Sequence, residues 1–459
     1  MIRGLIVVLS VLAISASAET RVPQNRAEIS LGFAALVKQA APAVVNIYAQ
    51  RIVARATSPF ADDPFFQNLF RGFGETRPEV QNSLGSGVIL SGDGYVVSNY
   101  HVVGGASDIR VVLNDRREFV AEVLLADEEA DLAILRLEEA RDMPHLALRD
   151  SDTVEVGELV LAIGNPFGVG QTVTSGIVSG LARSGTATGN SRGLFLQTDA
   201  AINPGNSGGA LVDVNGALIG VNTSILTRSG GSNGIGFAIP SSLVAQYLAQ
   251  AQAGNVVFQK PWAGMNGQSV DADMAESLGM TRPMGILISG LHDVSPFLVA
   301  GFQTGDVILA VAGQAVNTPA EMIFRMSVVG LGADVSVSRW RAGQSDDVAV
   351  SLMAAPDVPP RAALVTDSRA AIPELAVANI NPAVLAEYGL PLGIEGVVIT
   401  DPGPVGAQLG LETGDILRAV DGRDIGRTEE VVSALIEARR VLRLDIQRGT
   451  QRVSMRFRL

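Results

Sequence analysis

Between residues 84 and 240 the chain is broken into about a dozen short β-branched runs, each bounded by Gly, Asp, Asn or Ser. The first group is "GSGVILS", "YVVSNYHVV", "DIRVVLND", "FVAEVLLAD" and "LAILRLE", with "SGDG" at 91–94 as a hairpin turn. The second group is "LVLAIG", "TVTSGIVSGLA", "LFLQTDAA", "ALVDVNGALIGVNTSI" and "GIGFAIP". Runs this short, at this spacing, do not build βαβ units. They predict a mainly β fold of two successive antiparallel barrels, closed by a helix over 242–253.

The remaining chain repeats itself. "GFQTGDVILAVAGQAVNTPAEM" starts at Gly301 and "GLETGDILRAVDGRDIGRTEEV" at Gly410. Each runs through a helical segment into two late strands, so one module is present twice. "AAPDVPPR", 354–361, is a proline-stiffened linker between them. Seven arginines fall between Arg439 and Arg458. Their spacing assigns them to the solvent face of late strands.

The N-terminus reads as an export signal. "MIRGLIVVLSVLAISASAET" has Arg3, an apolar run from Leu5 to Ile14, then Ala16-Ser17-Ala18. Residues 1–18 are expected to be removed, leaving no integral membrane segment. Residues 28–42 predict a short helix ended by Pro42. The stretch 57–83 carries five phenylalanines among Pro, Asp and Gly, too many rings for a solvated linker. It reads as a loop that docks its rings.

A net charge of −13 disfavours nucleic acid or an anionic membrane as the main partner. With no cysteine, disulfides, thiol nucleophiles and thiolate metal sites are excluded. The three histidines, His101, His145 and His292, form no local zinc motif, and no phosphate loop is present. No metal and no cofactor is expected.

Serine chemistry fits better. Ser207 lies in "GNSGG", where flanking glycines allow conformations that a Cβ would forbid. The N–H groups of Gly205, Asn206 and Ser207 can then converge on one spot, as an oxyanion hole requires. His101 closes the strand "YVVSNYHVV" and can serve as base. Asp131 in "EEADLAILRL" stands at the mouth of an apolar strand and can orient the imidazole, with Asp115 and Asp127 as competitors. His145 and His292 read as surface residues. The order His, Asp, Ser across two β-rich halves is that of trypsin-type proteases.

"SNYHVV", "ADLAIL" and "QTDAAINPGNSGGAL", followed by "GIGFAIP" and two repeated modules, resemble the HtrA family of serine proteases, of the periplasmic Do-like type. The resemblance covers nearly the whole mature chain. It implies a trypsin-like double-barrel protease domain over 19–255 and PDZ domains over 256–354 and 362–459. His101, Asp131 and Ser207 would be base, orienter and nucleophile. "TRSGGSNGIGFAIP" would help form the specificity pocket, lined by Ile202 and Ile235 and suited to small or branched apolar residues. Residues 180–193 would be a sensor loop, with Arg183 relaying signals from the C-terminal modules. Segment 57–83 would be a regulatory loop docking on neighbouring subunits, and the N-terminal helix would contribute to a trimer.

PDZ modules capture an extended C-terminal peptide as an added strand, with backbone N–H groups holding its carboxylate. The matching loop of the first module is read as Met284, Gly285, Ile286 and Leu287. That of the second, 395–398, carries Glu395, whose charge would repel a carboxylate, so this module is expected to serve assembly. Bulky Phe297 stands where small residues are usual. The function implied is an exported, ATP-independent endopeptidase of the periplasm, acting on unfolded envelope proteins, recognising C-terminal peptides and assembling as a trimer or multiples of trimers. A chaperone or holdase, and a non-catalytic PDZ scaffold, are the other functions such a chain could have.

Overall fold

The computed structural model describes residues 32–57, 75–165, 170–184, 194–203, 205–225, 232–438 and 441–458. The segment read as an export signal, and most of the Phe-rich stretch 57–83 and of the expected sensor loop 180–193, lie outside them.

Helix α1 (Ala34–Ala40) leads into the first barrel. Its strands are β1 (Val44–Thr57), β2 (Glu75–Ile89), β3 (Tyr95–Ser98), β4 (Asp108–Val112), β5 (Glu118–Asp127) and β6 (Leu132–Leu137), with the one-turn helix α2 (Tyr100–Val103) after β3. The order β1-β2-β3-β6-β5-β4 closes on itself. The second barrel comprises β7 (Leu159–Gly164), β8 (Thr172–Ser184), β9 (Leu194–Thr198), β10 (Ala210–Asp213), β11 (Leu218–Ile225) and β12 (Gly236–Pro240). It closes in the order β10-β11-β12-β9-β8-β7, and helix α3 (Ser241–Gln252) follows.

Strand parity explains how the barrels dock. Side chains alternate across a strand, so Val45, Ile47 and Ala49 of β1 fill the first barrel. In β7, Val160 and Ala162 fill the second. The opposite faces are also apolar. Val44, Val88, Val97 and Ile134 of the first barrel meet Leu161, Ile163, Ala210 and Val212 of the second in one continuous cluster. A run such as "LVLAIG" is apolar throughout because one face fills a barrel and the other joins the two. Each Val, Leu or Ile among them, fully buried, contributes about 1.5–3 kcal/mol of transfer free energy.

The first C-terminal module holds β13 (Met265–Ser269), α4 (Ala272–Ser277), β14 (Ile286–Leu291), α5 (Pro296–Val299), β15 (Val307–Val311), β16 (Gln314–Ala315), α6 (Pro319–Val329), β17 (Asp334–Arg341) and β18 (Gln344–Ser351). The second holds β19 (Leu364–Val365), β20 (Ala376–Asn379), α7 (Pro382–Glu387), β21 (Val397–Asp401), α8 (Gly403–Gln408), β22 (Ile416–Val420), β23 (Arg423–Asp424), α9 (Thr428–Glu437), β24 (Val441–Arg448) and β25 (Gln451–Arg458). The sheet orders β13-β14-β15-β17-β18 and β20-β21-β22-β24-β25 match, and β19 is an addition outside β20.

The repeated "TGD" has a structural reason. Asp306 is buried and takes Arg341 Nε and Nη2 at 2.5 and 2.6 Å. Asp415 is buried and takes Arg448 Nε and Nη2, both at 2.7 Å. Arg448 thus departs from the solvent-face reading of the late arginines, because its guanidinium neutralises a buried carboxylate. Arg443, Arg452, Arg456 and Arg458 are exposed as expected. Phe297 is also accounted for: it is fully buried, packed edge-on against Phe302 in the module core.

Candidate active site

The first barrel supplies two of the three expected residues. His101 sits on α2 directly after β3, and Asp131 sits in the tight connection between β5 and β6. Asp131 has φ 54°, a left-handed value that aspartate tolerates better than most side chains. That turn aims its carboxylate back at α2. Oδ1 accepts the His101 main-chain N–H at 3.0 Å, and both carboxylate oxygens lie 2.9 Å from His101 Nδ1. Asn99 Nδ2 donates to the Asp131 carbonyl at 2.9 Å and fixes the turn from behind. The competitors are engaged elsewhere. Asp127 accepts from Tyr247 Oη at 2.6 Å, and Asp115 pairs with Arg117 at the surface. His145 is exposed and His292 half-buried against Trp262.

The second barrel supplies Ser207, in the turn before β10, and Thr223 on β11. Thr223 Oγ1 donates to Asp131 Oδ2 at 2.6 Å, so the carboxylate receives donors from both barrels. Ser207 Oγ donates to the Thr223 carbonyl at 3.0 Å. In this form the hydroxyl rests on the same residue that braces Asp131, and it must rotate to reach an imidazole nitrogen.

The turn around Ser207 is pinned by Ser86 of β2. Ser86 N donates to the Ser207 carbonyl at 2.9 Å, and its Oγ donates to the Gly205 carbonyl at 2.6 Å. The same Oγ accepts the Asn165 N–H at 2.8 Å, and the Ser86 carbonyl accepts from Ser98 Oγ at 2.8 Å. Of the three expected oxyanion donors, Asn206 N–H is already spent on the Asn203 carbonyl at 3.0 Å. The Gly205 and Ser207 N–H groups have no acceptor among the described residues. Asn206 is buried, and its side-chain amide has no partner among the described residues.

Thr223 and Ser86 escape a sequence reading, since a threonine in a strand and a serine in "GSG" carry no chemical signature alone. Ile202 is buried in the second barrel, 2.8 Å from where a Cβ of Gly236 would lie. Ile235 is half-buried and packs on the inter-barrel cluster. Arg183 lies in β8 with its backbone opposite Phe195. Helix α6 of the first module packs near this region, where Leu181, Phe324 and Arg325 line a small cavity and Arg325 pairs with Asp152.

The expected peptide loop at 284–287 requires correction. Ile286 and Leu287 begin β14, which is paired with β13 on one side and β15 on the other. Gly285 N–H is taken by Asn317 Oδ1 at 3.1 Å. A strand cannot be added to an interior position. β13 is an edge strand of the sheet, paired only with β14, and a cavity of about 600 Å³ lies between β13 and α6. Trp262, Met265, Ala320, Ile323 and Phe324 line it from the first module. Phe258 also lines it from the first module, Tyr247 from the protease domain, and Leu385 and Leu390 from the second module. For the same reason Glu395 does not front a groove, since it precedes the interior strand β21 and its carbonyl holds Arg418.

Comparison with known proteins agrees with this architecture. A trypsin-like peptidase domain model matches residues 85–221, and a PDZ domain model matches 399–448. The periplasmic pH-dependent serine endoprotease DegQ of Escherichia coli is 35% identical over 432 residues, covering 93% of this chain and 91% of that protein. The periplasmic serine endoprotease DegP of Escherichia coli is 36% identical over 397 residues, covering 85% and 80%. The solved structure of the HtrA-type protease AlgW with a decapeptide superposes with a TM-score of 0.52 at 38% identity, over 72% of this chain and all of that one. Among the described residues no helix is long and apolar enough to cross a membrane. With this identity over most of both chains, two closed barrels and the paired modules, the chain belongs to the HtrA family of periplasmic serine endoproteases, and it is a serine endopeptidase with a trypsin-like domain followed by two PDZ domains.

Proposed function

We propose that the protein is an ATP-independent endopeptidase that degrades unfolded or misfolded envelope proteins through an acyl-enzyme. The observation that carries this reading is the grip of Asp131 on His101 through both the ring and the main chain, braced by Thr223. With Nδ1 donating to Asp131, Nε2 is the nitrogen left to accept the serine proton. Ser207 Oγ attacks the scissile carbonyl carbon while its proton passes to His101 Nε2. The N–H groups of Gly205 and Ser207 receive the developing oxyanion. The tetrahedral intermediate collapses as Nε2 returns the proton to the leaving amine, and water attacks the acyl-enzyme by the same route in reverse order.

Two features support a gated site. The Ser207 hydroxyl is held by the Thr223 carbonyl, and the Asn206 amide is buried without a partner among the described residues. Engagement of substrate, relayed through α6 and the Arg183 strand, would reset the 203–207 turn. Peptide capture belongs in the groove between β13 and α6. There the N–H groups of Ala263 and Gly264 have no acceptor among the described residues and can receive a carboxylate. The apolar lining of that groove suits exposed apolar C-termini, the mark of an unfolded chain. Assembly as a trimer or its multiples, with segment 57–83 docking between subunits, belongs to the same reading.

A fluorophosphonate probe followed by intact-mass measurement tests the proposal. One adduct on Ser207 is expected, and none on Ser207→Ala. Absence of labelling of the parent protein in the presence of an apolar C-terminal peptide would overturn it.

A further inference from the structure

The two modules share one strand order, and β19 is the exception. It lies outside β20, at the edge where the first module leaves β13 open. Residues 361–366 run antiparallel along the whole of β20. Asn379 N–H donates to the Arg361 carbonyl at 2.7 Å, Leu364 stands opposite Val377, Val365 opposite Ala376, and Thr366 N–H donates to the Leu375 carbonyl at 2.9 Å.

The other wall of this groove also engages the segment. Thr428, at the start of α9, donates its hydroxyl to the Ala362 carbonyl at 3.0 Å. Leu364 packs on the apolar cluster that contains Val377, Val431 and Leu435. At the far end Ala371 N–H donates to the Leu435 carbonyl at 2.9 Å, closing the loop against the helix. The segment thus occupies the position of an added strand, between sheet edge and helix.

The loop amides distinguish the two modules. In the second, Glu374 N–H donates to the Thr366 carbonyl at 2.9 Å and Leu375 N–H to Thr366 Oγ1 at 2.9 Å. These precede β20 as Ala263 and Gly264 precede β13. Thr366 is buried and presents two oxygens to two adjacent N–H groups, the arrangement in which a terminal carboxylate would be received.

We infer that the second PDZ groove is an intramolecular peptide site whose ligand is this chain's own segment 361–366, with Thr366 in place of a carboxylate. The segment follows the linker directly. Asp357 and the Pro359 carbonyl are both held by Asn381 Nδ2 at 2.5 and 2.7 Å, and Arg361 pairs with Glu387 at 2.7 Å. Filling its own groove therefore ties the linker to α7, whose end lines the groove of the first module. An apolar C-terminal peptide can enter the second groove only by displacing the segment.

The test uses full-length protein carrying Ser207→Ala, and a fluorescein-labelled decapeptide ending in an apolar residue. Leu364→Asp with Thr366→Pro removes the packing contact and the N–H that binds Leu375, and should release the segment. Val365→Asp, at a side chain facing solvent, is the control. The release variant is expected to bind one more peptide per chain than the parent by calorimetry, and the control the same number as the parent. Hydrogen exchange should show the Glu374, Leu375 and Asn379 amides protected in the parent and rapid in the release variant. The count on the parent depends on the proposed role of the first module, but the gain on release does not. An unchanged count while those amides exchange rapidly would overturn the inference, as would rapid exchange of the same amides in the parent.

Discussion

Gly208→Ala places the geometry around Ser207 under direct load. Gly208 has φ +82°, and a Cβ there would lie 2.0 Å from the Ser86 carbonyl oxygen and 2.6 Å from Ser98 Oγ. No real Cβ contact is shorter than 3.0 Å, so something must shift by at least about 1 Å. Ser86 is poorly able to yield. Its N–H, hydroxyl and carbonyl are committed to Ser207, Gly205, Asn165 and Ser98. The displacement therefore falls on the 205–208 turn, which carries the proposed nucleophile and the two N–H groups proposed to receive the oxyanion. A misplacement of about 1 Å costs on the order of a hundredfold in rate. The left-handed conformation adds about 1–3 kcal/mol of strain. Gly157→Ala separates the two effects, because Gly157 has φ +99° with open space around its would-be Cβ. Turnover of a fluorogenic peptide should fall about a hundredfold in Gly208→Ala and stay near the parent value in Gly157→Ala. Thermal unfolding run alongside should lower the midpoint in both. A Gly208→Ala enzyme within threefold of the parent in kcat/KM, at an unchanged unfolding midpoint, would refute the reasoning.

Two further outcomes follow from the same contacts. Thr223→Val removes the hydroxyl that donates to Asp131; a hydrogen bond to a charged, one-fifth-exposed carboxylate is worth about 1.5 kcal/mol, so kcat should fall about tenfold with KM little changed. Arg149→Met strips the partner from buried Asp213 and from Glu158, and should lower stability by about 3 kcal/mol, the low end for a broken buried pair because Arg149 is a quarter exposed. Arg149 holds the Glu158 carboxyl below its usual range, so that stabilisation is present at neutral pH and is lost as pH falls below the glutamate range. Denaturant unfolding of parent and variant should therefore converge as the solution is acidified.

The barrels were legible because strand runs bounded by turns report local chemistry, and the repeat because its Gly and Asp recur for one cause, a buried carboxylate met by an arginine from a late strand. His101, Asp131 and Ser207 stand out as candidates in the sequence because few residue types can do the work proposed for them. What stayed hidden was relational. Which strand of a module is an edge depends on pairing in three dimensions, and this misplaced the peptide groove at 284–287 when the free edge begins at Met265. Thr223 and Ser86 act through partners more than ninety residues away in sequence. Nothing local marks Thr366 as a hydrogen-bonding plug, because its role exists only once β20 and its preceding loop are folded around it.

The division of the proposed catalytic residues between two barrels has a consequence for the life of the chain before it works. His101 and Asp131 can meet once the first barrel folds, but Ser207, Thr223 and the oxyanion turn belong to the second, and Ser86 must reach across to shape that turn. Neither barrel alone contains a competent site. A chain still folding thus has no complete site until these last long-range contacts form. On the proposed roles, competence to cut arrives only once both barrels have folded and docked.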